Sequence, residues 1–180
     1  AALNKLIKAT IKKHKRIIFN GNGYGEDWVK EAENRGLLNL RTTPDALPQF
    51  IDEKNIALFT EHKVLTKTEM QSRYEIHLEN YCKVLNIEAN TMVSMAKKYI
   101  FPSVTAYIKD LSNTINEVKT AVPKANVNAE QNLVEGLSKL VNLLYDDNNK
   151  LEELSLTALN IQDLQKRADY YKDIVIPAMA

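Results

Sequence analysis

Apolar residues return every three or four positions along almost the whole chain, and no stretch of strict alternation competes with that period. Leu3, Ile7, Ile11 and Ile18 form the first stripe, with His14 on the same face as a packing residue. That helix is expected to stop at Asn20–Gly25, a run of glycine and asparagine for which φ > 0 costs little. A short helix follows. Glu26 and Asp27 suit its positive N-terminus, and Trp28, Val29 and Ala32 make its buried face. Gly36 reads as its stop, with Leu37 folding back onto the helix end. Thr43 and Pro44 then read as N-cap and first turn of an element burying Leu47, Phe50 and Ile51, which Pro48 limits to little more than a turn. A further piece around residues 55–62 would bury Ile56, Leu58 and Phe59.

The clearest helix start is Thr66. Glu69 three residues on completes a capping box, and Leu65 with Met70 makes the matching hydrophobic staple. The apolar pattern then runs from Met70 through Tyr74, Leu78, Tyr81, Leu85, Ala89, Met92, Ala96 and Tyr99, and resumes from Val104 to Val118. Pro102 interrupts it and should kink or split the helix. Residues 122–125 form the one convincing loop in this half. Asn128 with Gln131 reads as a second capping box, opening a helix expected to run unbroken to about Val175. Its seam is Leu133, Leu137, Leu140, Leu144, Leu151, Leu154, Ala158 and Ile161, with one missed position at Asp147. Such spacing fits a two-stranded coil between subunits. Val141, Leu143, Leu156, Leu159 and Leu164 widen the stripe, which favours packing within the chain against the helix after Thr66. The predicted fold is all-α: long antiparallel helices form a bundle, preceded by short helices and a Gly/Asn-rich turn. Residues 1–65 hold the basic N-terminal helix, that turn and the short helices; residues 66–180 hold the long-helix hairpin.

Charge changes the picture only at the start. The net charge is +1, yet residues 1–20 carry Lys5, Lys8, Lys12, Lys13, Lys15 and Arg16 without an acid, leaving −5 for the rest. A basic amphipathic helix can meet nucleic acid or an anionic membrane. A solvated face opposite a core-seeking stripe accounts for the same residues, and neither nucleic acid nor membrane is expected as a partner. The interspersed lysines argue against a secretory signal. The start at Ala-Ala, directly in helical periodicity, suggests a missing upstream part. A single cysteine, Cys82, excludes an internal disulfide and reads as a half-buried structural thiol.

Candidate chemistry is sparse. His14, His62 and His77 never pair at metal-ligand spacing. Asp146–Asn149 carries oxygen ligands but lacks the glycine and glutamate of a calcium loop, so it reads as a solvated polar patch. The run Gly21–Gly25 precedes a helix N-terminus, as a phosphate loop would, but matches neither nucleotide-binding pattern, and a sharp turn between helices is favoured. No catalytic, cofactor-binding or metal-ligating residue is assigned.

The string Lys12-Lys13-His14-Lys15-Arg16-Ile17-Ile18-Phe19-Asn20-Gly21-Asn22-Gly23-Tyr24, followed by Asp27–Glu33 (DWVKEAE) and Arg35-Gly36-Leu37, resembles the C-terminal region of type III glutamine synthetases. The likeness continues at Thr42–Pro48 (TTPDALP), Ser72–Ala89 (SRYEIHLENYCKVLNIEA) and Ala168–Met179 (ADYYKDIVIPAM). Gly25 departs from an expected serine, and family members are expected to run on beyond Ala180. The resemblance implies a whole enzyme that makes glutamine from glutamate, ammonia and ATP with magnesium or manganese. It further implies a cytoplasmic homo-oligomer whose catalytic, metal and ATP sites lie in an upstream synthetase domain. The segment itself would then be inactive, hold no cofactor and have a structural, assembly or regulatory role. The alternative is a stand-alone helical protein–protein interaction module without enzymatic role.

Overall fold

A computed structural model describes residues 2–180. All its regular elements are helical, and no strand occurs among the described residues. The fold is all-α. The chain divides into two compact units, one extending to Arg41 and the other spanning Thr42–Ala180. The short elements after Arg41 therefore group with the long helices instead of with the basic N-terminal helix.

In the first unit, α1 (Ala2–Lys13) ends earlier than the glycine run and is followed by a 3₁₀ turn at Lys15–Ile17. No residue of α1 is buried: Leu3, Ile7 and Ile11 are exposed, and so are His14 and Ile18 just beyond it, all of which the periodicity placed in a core. A compact apolar corner forms instead from residues just beyond it. Phe19 lies against Trp28 with ring centroids 4.7 Å apart, and the Arg35 guanidinium sits 5.8 Å from the Phe19 ring centre. Arg35 also donates to the carbonyls of Ile18 (2.7 Å) and Arg16 (3.2 Å) and pairs with Glu31. The helix α2 (Glu26–Asn34) buries Ala32 and stops as expected: Gly36 has φ +64°, and the Leu37 N–H bonds back to the Ala32 carbonyl. Positive φ is confined to Gly36 and Lys63 among the described residues, so the turn at residues 20–25 does not use it. Gly21 bears on the turn differently: a Cβ there would meet the Phe19 ring and push it aside. Gly23 has open space around it.

The second unit begins with α3 (Thr43–Phe50). It is a true helix capped by Thr42, one residue earlier than expected, and it keeps Pro48 inside it and buries Pro44. Asp52 caps α4 (Glu53–Glu61); Ile56 and Phe59 are half-buried, whereas Leu58 is exposed. The Thr66–Glu69 capping box forms in both directions, Thr66 N–H to Glu69 at 2.7 Å and Glu69 N–H to Thr66 Oγ1 at 3.2 Å. It opens α5 (Lys67–Met95), whose buried residues are Met70, Leu78, Cys82, Leu85, Ala89 and Val93. Met92 and Tyr99, read as part of this stripe, are exposed.

Pro102 neither breaks nor ends the long helix. A π turn at Ala96–Ile100 precedes it, with the Phe101 N–H reaching the Ala96 carbonyl, and α6 (Phe101–Ala121) continues. Proline removes an N–H and crowds the carbonyl four residues back; one wider turn absorbs both.

The next helix, α7 (Asn128–Asn160), starts without the expected Asn128–Gln131 box, since Val127 occupies the N-cap and Asn126 Oδ1 accepts the Asn128 N–H instead. It also stops well short of Val175. Residues 161–163 break it, Asp163 caps the Lys166 N–H, and Arg167 Nε donates to the Ile161 carbonyl at 2.7 Å. Beyond the break come α8 (Leu164–Tyr170), a second π turn at Tyr171–Val175 and α9 (Ile176–Met179), again with a proline, Pro177, just after the π turn.

The core is where α5, α7 and the α8–α9 helix meet: Leu78, Cys82, Leu85, Leu151, Tyr171 and Val175 are all buried in one cluster. Gln165 meets Tyr74 near the start of α5, while Ala178 and Met179 share a groove with Met92 and Met95 near its end. The three helices thus run up, down and up. Beyond that groove α6 and the first half of α7 continue as a two-helix arm, joined by the loop at residues 122–127 and braced by Phe101 against Tyr145 at 5.9 Å. The seam of α7 follows the expected line at Leu151 and Ala158 and departs from it by one residue at Asn148 and Ser155. Its buried positions are Asn148, Leu151, Ser155 and Ala158, so the apparent gap at Asp147 is filled by a buried Asn148.

Leu151 is 4% exposed at the centre of this core. Leu151→Asp should cost roughly 3–5 kcal/mol by combining a lost core leucine with a buried charge. Circular dichroism should show loss of the cooperative melt. A variant that stays fully helical and only becomes smaller would place the seam between subunits.

Candidate functional site

Two features of the second unit bring polar chemistry together. The first is a clamp between α3 and the α8 region. Thr42 caps α3 by accepting the Asp45 N–H, which fixes Asp45 in the first turn. Lys172 Nζ then reaches Asp45 Oδ1 at 2.7 Å, with Asp169 and Asp173 at 3.9 and 3.6 Å from the same ammonium. Beside it, Gln165 accepts the Tyr74 hydroxyl proton at 2.8 Å and donates to the Pro44 carbonyl at 3.0 Å. The hydrogen bond from Lys172 holds the Asp45 carboxyl below the usual carboxylate range, and Asp45 in return raises the Lys172 ammonium. This is a structural latch: the Lys172 ammonium faces three carboxylates, and the Gln165 amide donates to both the Pro44 carbonyl and Asp169.

The second is a groove of about 480 Å³ between the end of α5, the middle of α7 and the residues around α9. Met92, Met95, Ile100, Leu144 and Met179 give it apolar walls. Asp147 and Lys150 stand in its lining, and neither makes an ion pair among the described residues. Asn148, only 5% exposed, belongs to the same wall, and its Nδ2 has no hydrogen-bond partner. Ser155 Oγ and Tyr171 OH are likewise buried without partners. The segment Asp146–Asn149 is therefore not uniformly solvated: its third residue faces inward.

Residues weighed for chemistry from the sequence lie apart. His14, His62 and His77 are all exposed, and among the described residues no group of three His, Cys, Asp or Glu side chains is placed to hold a metal ion. Cys82 is fully in the core instead of half-buried, and burial pushes its thiol pKa up. The Gly21–Gly25 turn leads into α2 through Gly25, whose extended backbone caps the helix without a side chain. The Thr42-x-x-Asp45 spacing was a legible signal for the clamp; the groove had none, because Asn148 sits in a polar run.

Comparison with known proteins identifies the relatives of this scaffold. A family profile described as "Glutamine synthetase C-terminal domain" matches residues 2–119. The chain belongs to the glutamine synthetase C-terminal domain family. It is 38% identical over 177 residues to a glutamine synthetase of Butyrivibrio fibrisolvens, an alignment covering 98% of this chain and 25% of that protein. It is 35% identical over 182 residues to the type-3 glutamine synthetase of Dictyostelium discoideum, covering 99% and 25%. A glutamine synthetase of Bacteroides fragilis is 25% identical over 180 residues, covering 98% and 25%. The chain spans about a quarter of the length of these curated relatives, as the resemblance to the C-terminal region of the type III enzymes implied. No described helix of this glutamine synthetase C-terminal domain is long and apolar enough to cross a membrane.

The clamp gives this domain a pH signature. A depressed Asp45 adds stability that is present above its ordinary pKa of 3.8 and lost as pH falls through its lower folded value. The raised Lys172 adds stability present below its ordinary value and lost as pH rises through its folded one. Asp45→Asn should therefore lower the melting temperature at about pH 7 and converge with the parent at about pH 2. Equal offsets at both pH values would show that the ion pair contributes nothing.

Proposed function

We propose that this chain is the helical assembly region of a type III glutamine synthetase. The whole protein would ligate ammonia to glutamate with ATP and magnesium or manganese. Those ligands belong, on this reading, to an upstream synthetase domain, and the present residues contribute subunit contacts to a cytoplasmic homo-oligomer.

One observation carries the reading. The arm is two helices thick, and α7 holds apolar residues on the side turned away from α5 and α6. Leu140 is 64% exposed, Leu143 61% and Leu133 49%. Scattered surface leucines need no explanation, but a run of them along one long helix marks an interaction surface.

The test uses the complete protein. A Leu140→Asp, Leu143→Asp double variant should fold, because both side chains are already in solvent, and it should form a smaller assembly by light scattering. An unchanged assembly would remove the arm from the interface. The 180-residue chain alone should turn over no glutamate, ammonia and ATP; measurable turnover would contradict the division of labour.

A further inference from the structure

We propose that α7 pairs antiparallel with α7 of a second copy of this chain, in the register that seats Leu140 of each copy over Gly136 of the other. The proposal rests on the assembly reading and names the partner of that surface.

The free length of α7 carries the pattern. Ala129, Leu133, Gly136, Leu140, Leu143 and Asp147 follow one another at spacings of 4, 3, 4, 3 and 4, and none of them is buried. That is a heptad line, the spacing by which two helices pack side by side. Past Asp147 the same side of α7 is already taken, since Leu151 and Ala158 are buried in one core with the third helix. Over about five turns, the arm lacks the third helix that the rest of the bundle has.

Gly136 points to a helix as the occupant. It sits inside α7, where glycine is disfavoured, and its φ is not positive. A Cβ built there would meet nothing within 4 Å. Neither the backbone nor the packing of the chain calls for glycine at this position. A neighbouring helix does, because the missing Cβ opens a hole for an incoming leucine.

The partner is a second copy because the line complements itself when reversed, as an isologous interface must. With Leu140 over the partner's Gly136, the two-fold axis passes beside Ser138, and Leu133 meets the partner's Leu143. Asp147 then lies against the first turn of the partner's α7, at Ala129. That helix start suits an acid. Val127 at its N-cap makes no side-chain capping bond, and a carboxylate answers both the free N–H groups and the helix dipole. Asp147 has no ion pair among the described residues to compete with this role. Sliding the partner by one heptad either way sets Gly136 against Asp147 or Leu133, and takes Asp147 off the helix start.

Asn132, Lys139 and Asp146 border the line at exposed positions, so each tolerates cysteine. In the complete protein treated with the short crosslinker bismaleimidoethane, Lys139→Cys should link to its own twin across the axis, read by mass spectrometry of the linked peptides. Asn132→Cys and Asp146→Cys each lie about 21 Å from their twins along the pair. They should stay unlinked alone and link to each other when coexpressed. Gly136→Leu fills the hole and should raise the concentration at which the assembly dissociates by about tenfold, without lowering the melting temperature of the 180-residue chain. Adding Leu140→Ala should recover part of that loss. Self-linking at all three cysteine positions would mean parallel helices, and no link at Lys139→Cys would mean a different partner; either result overturns the proposal. If Leu140→Asp, Leu143→Asp still shrinks the assembly when Lys139→Cys fails to link, the pairing alone falls. If that double variant changes nothing as well, the assembly reading falls with it.

Discussion

The packing of α5, α7 and the α8–α9 helix around Leu78, Leu85, Leu151, Tyr171 and Val175 is the constraint on which the second unit depends. Two helices bury one stripe each and leave their flanks wet; a third closes the triangle. That closure requires the chain to turn back after Asn160, and the turn is built from local chemistry. Asp163 caps the new helix, and Arg167 covers the Ile161 carbonyl left over from the old one. With the third helix in place, α3 is held against it through Asp45 and Lys172, and through Gln165 to the Pro44 carbonyl. Where the third helix ends, near Met92 and Leu144, the same geometry leaves the groove and, beyond it, the thin arm.

The two prolines show one solution applied twice. Pro102 and Pro177 each follow a five-residue π turn, Ala96–Ile100 and Tyr171–Val175, at the same spacing. The wider turn keeps each helix going through a residue that cannot donate. The first π turn borders the groove through Ala96 and Ile100, and Pro177, which follows the second, lines it from α9. Wide turns of this kind expose backbone and shift side-chain register, which is why they recur at functional sites.

Much of the architecture was legible in the residues, and the exceptions have physical causes. The helical period, the Thr66 capping box, the Gly36 stop and the loop after Val122 all formed, since each is fixed by local backbone chemistry. Three departures bear most on the fold. The stripe on α1 is amphipathic but finds no core, because periodicity states that a face wants burial and not what buries it. The seam of α7 keeps Leu151 and Ala158 but also buries Asn148 and Ser155, polar positions that a search for leucines passes over. The break at residues 161–163 was hidden because apolar residues continue through it at nearly helical spacing; only Asp163, as a cap, announced it. At the candidate sites, the clamp had a signal in Thr42 and Asp45, whereas the groove arises from residues some ninety positions apart that only the fold unites.

Native-state hydrogen exchange on the 180-residue chain tests the three-helix account most directly. Protection reports how much burial each helix shares with its neighbours. Amides of α5 around Leu78–Val93, of α7 around Leu151–Ala158 and of Tyr171–Val175 should exchange together and slowest, through global unfolding. Those of α6 after Val104 and of α7 before Leu144 should exchange faster, through opening of the arm. Uniform protection along all of α6 and α7, equal to that at Leu151, would contradict the claim that the third helix decides where the fold is held.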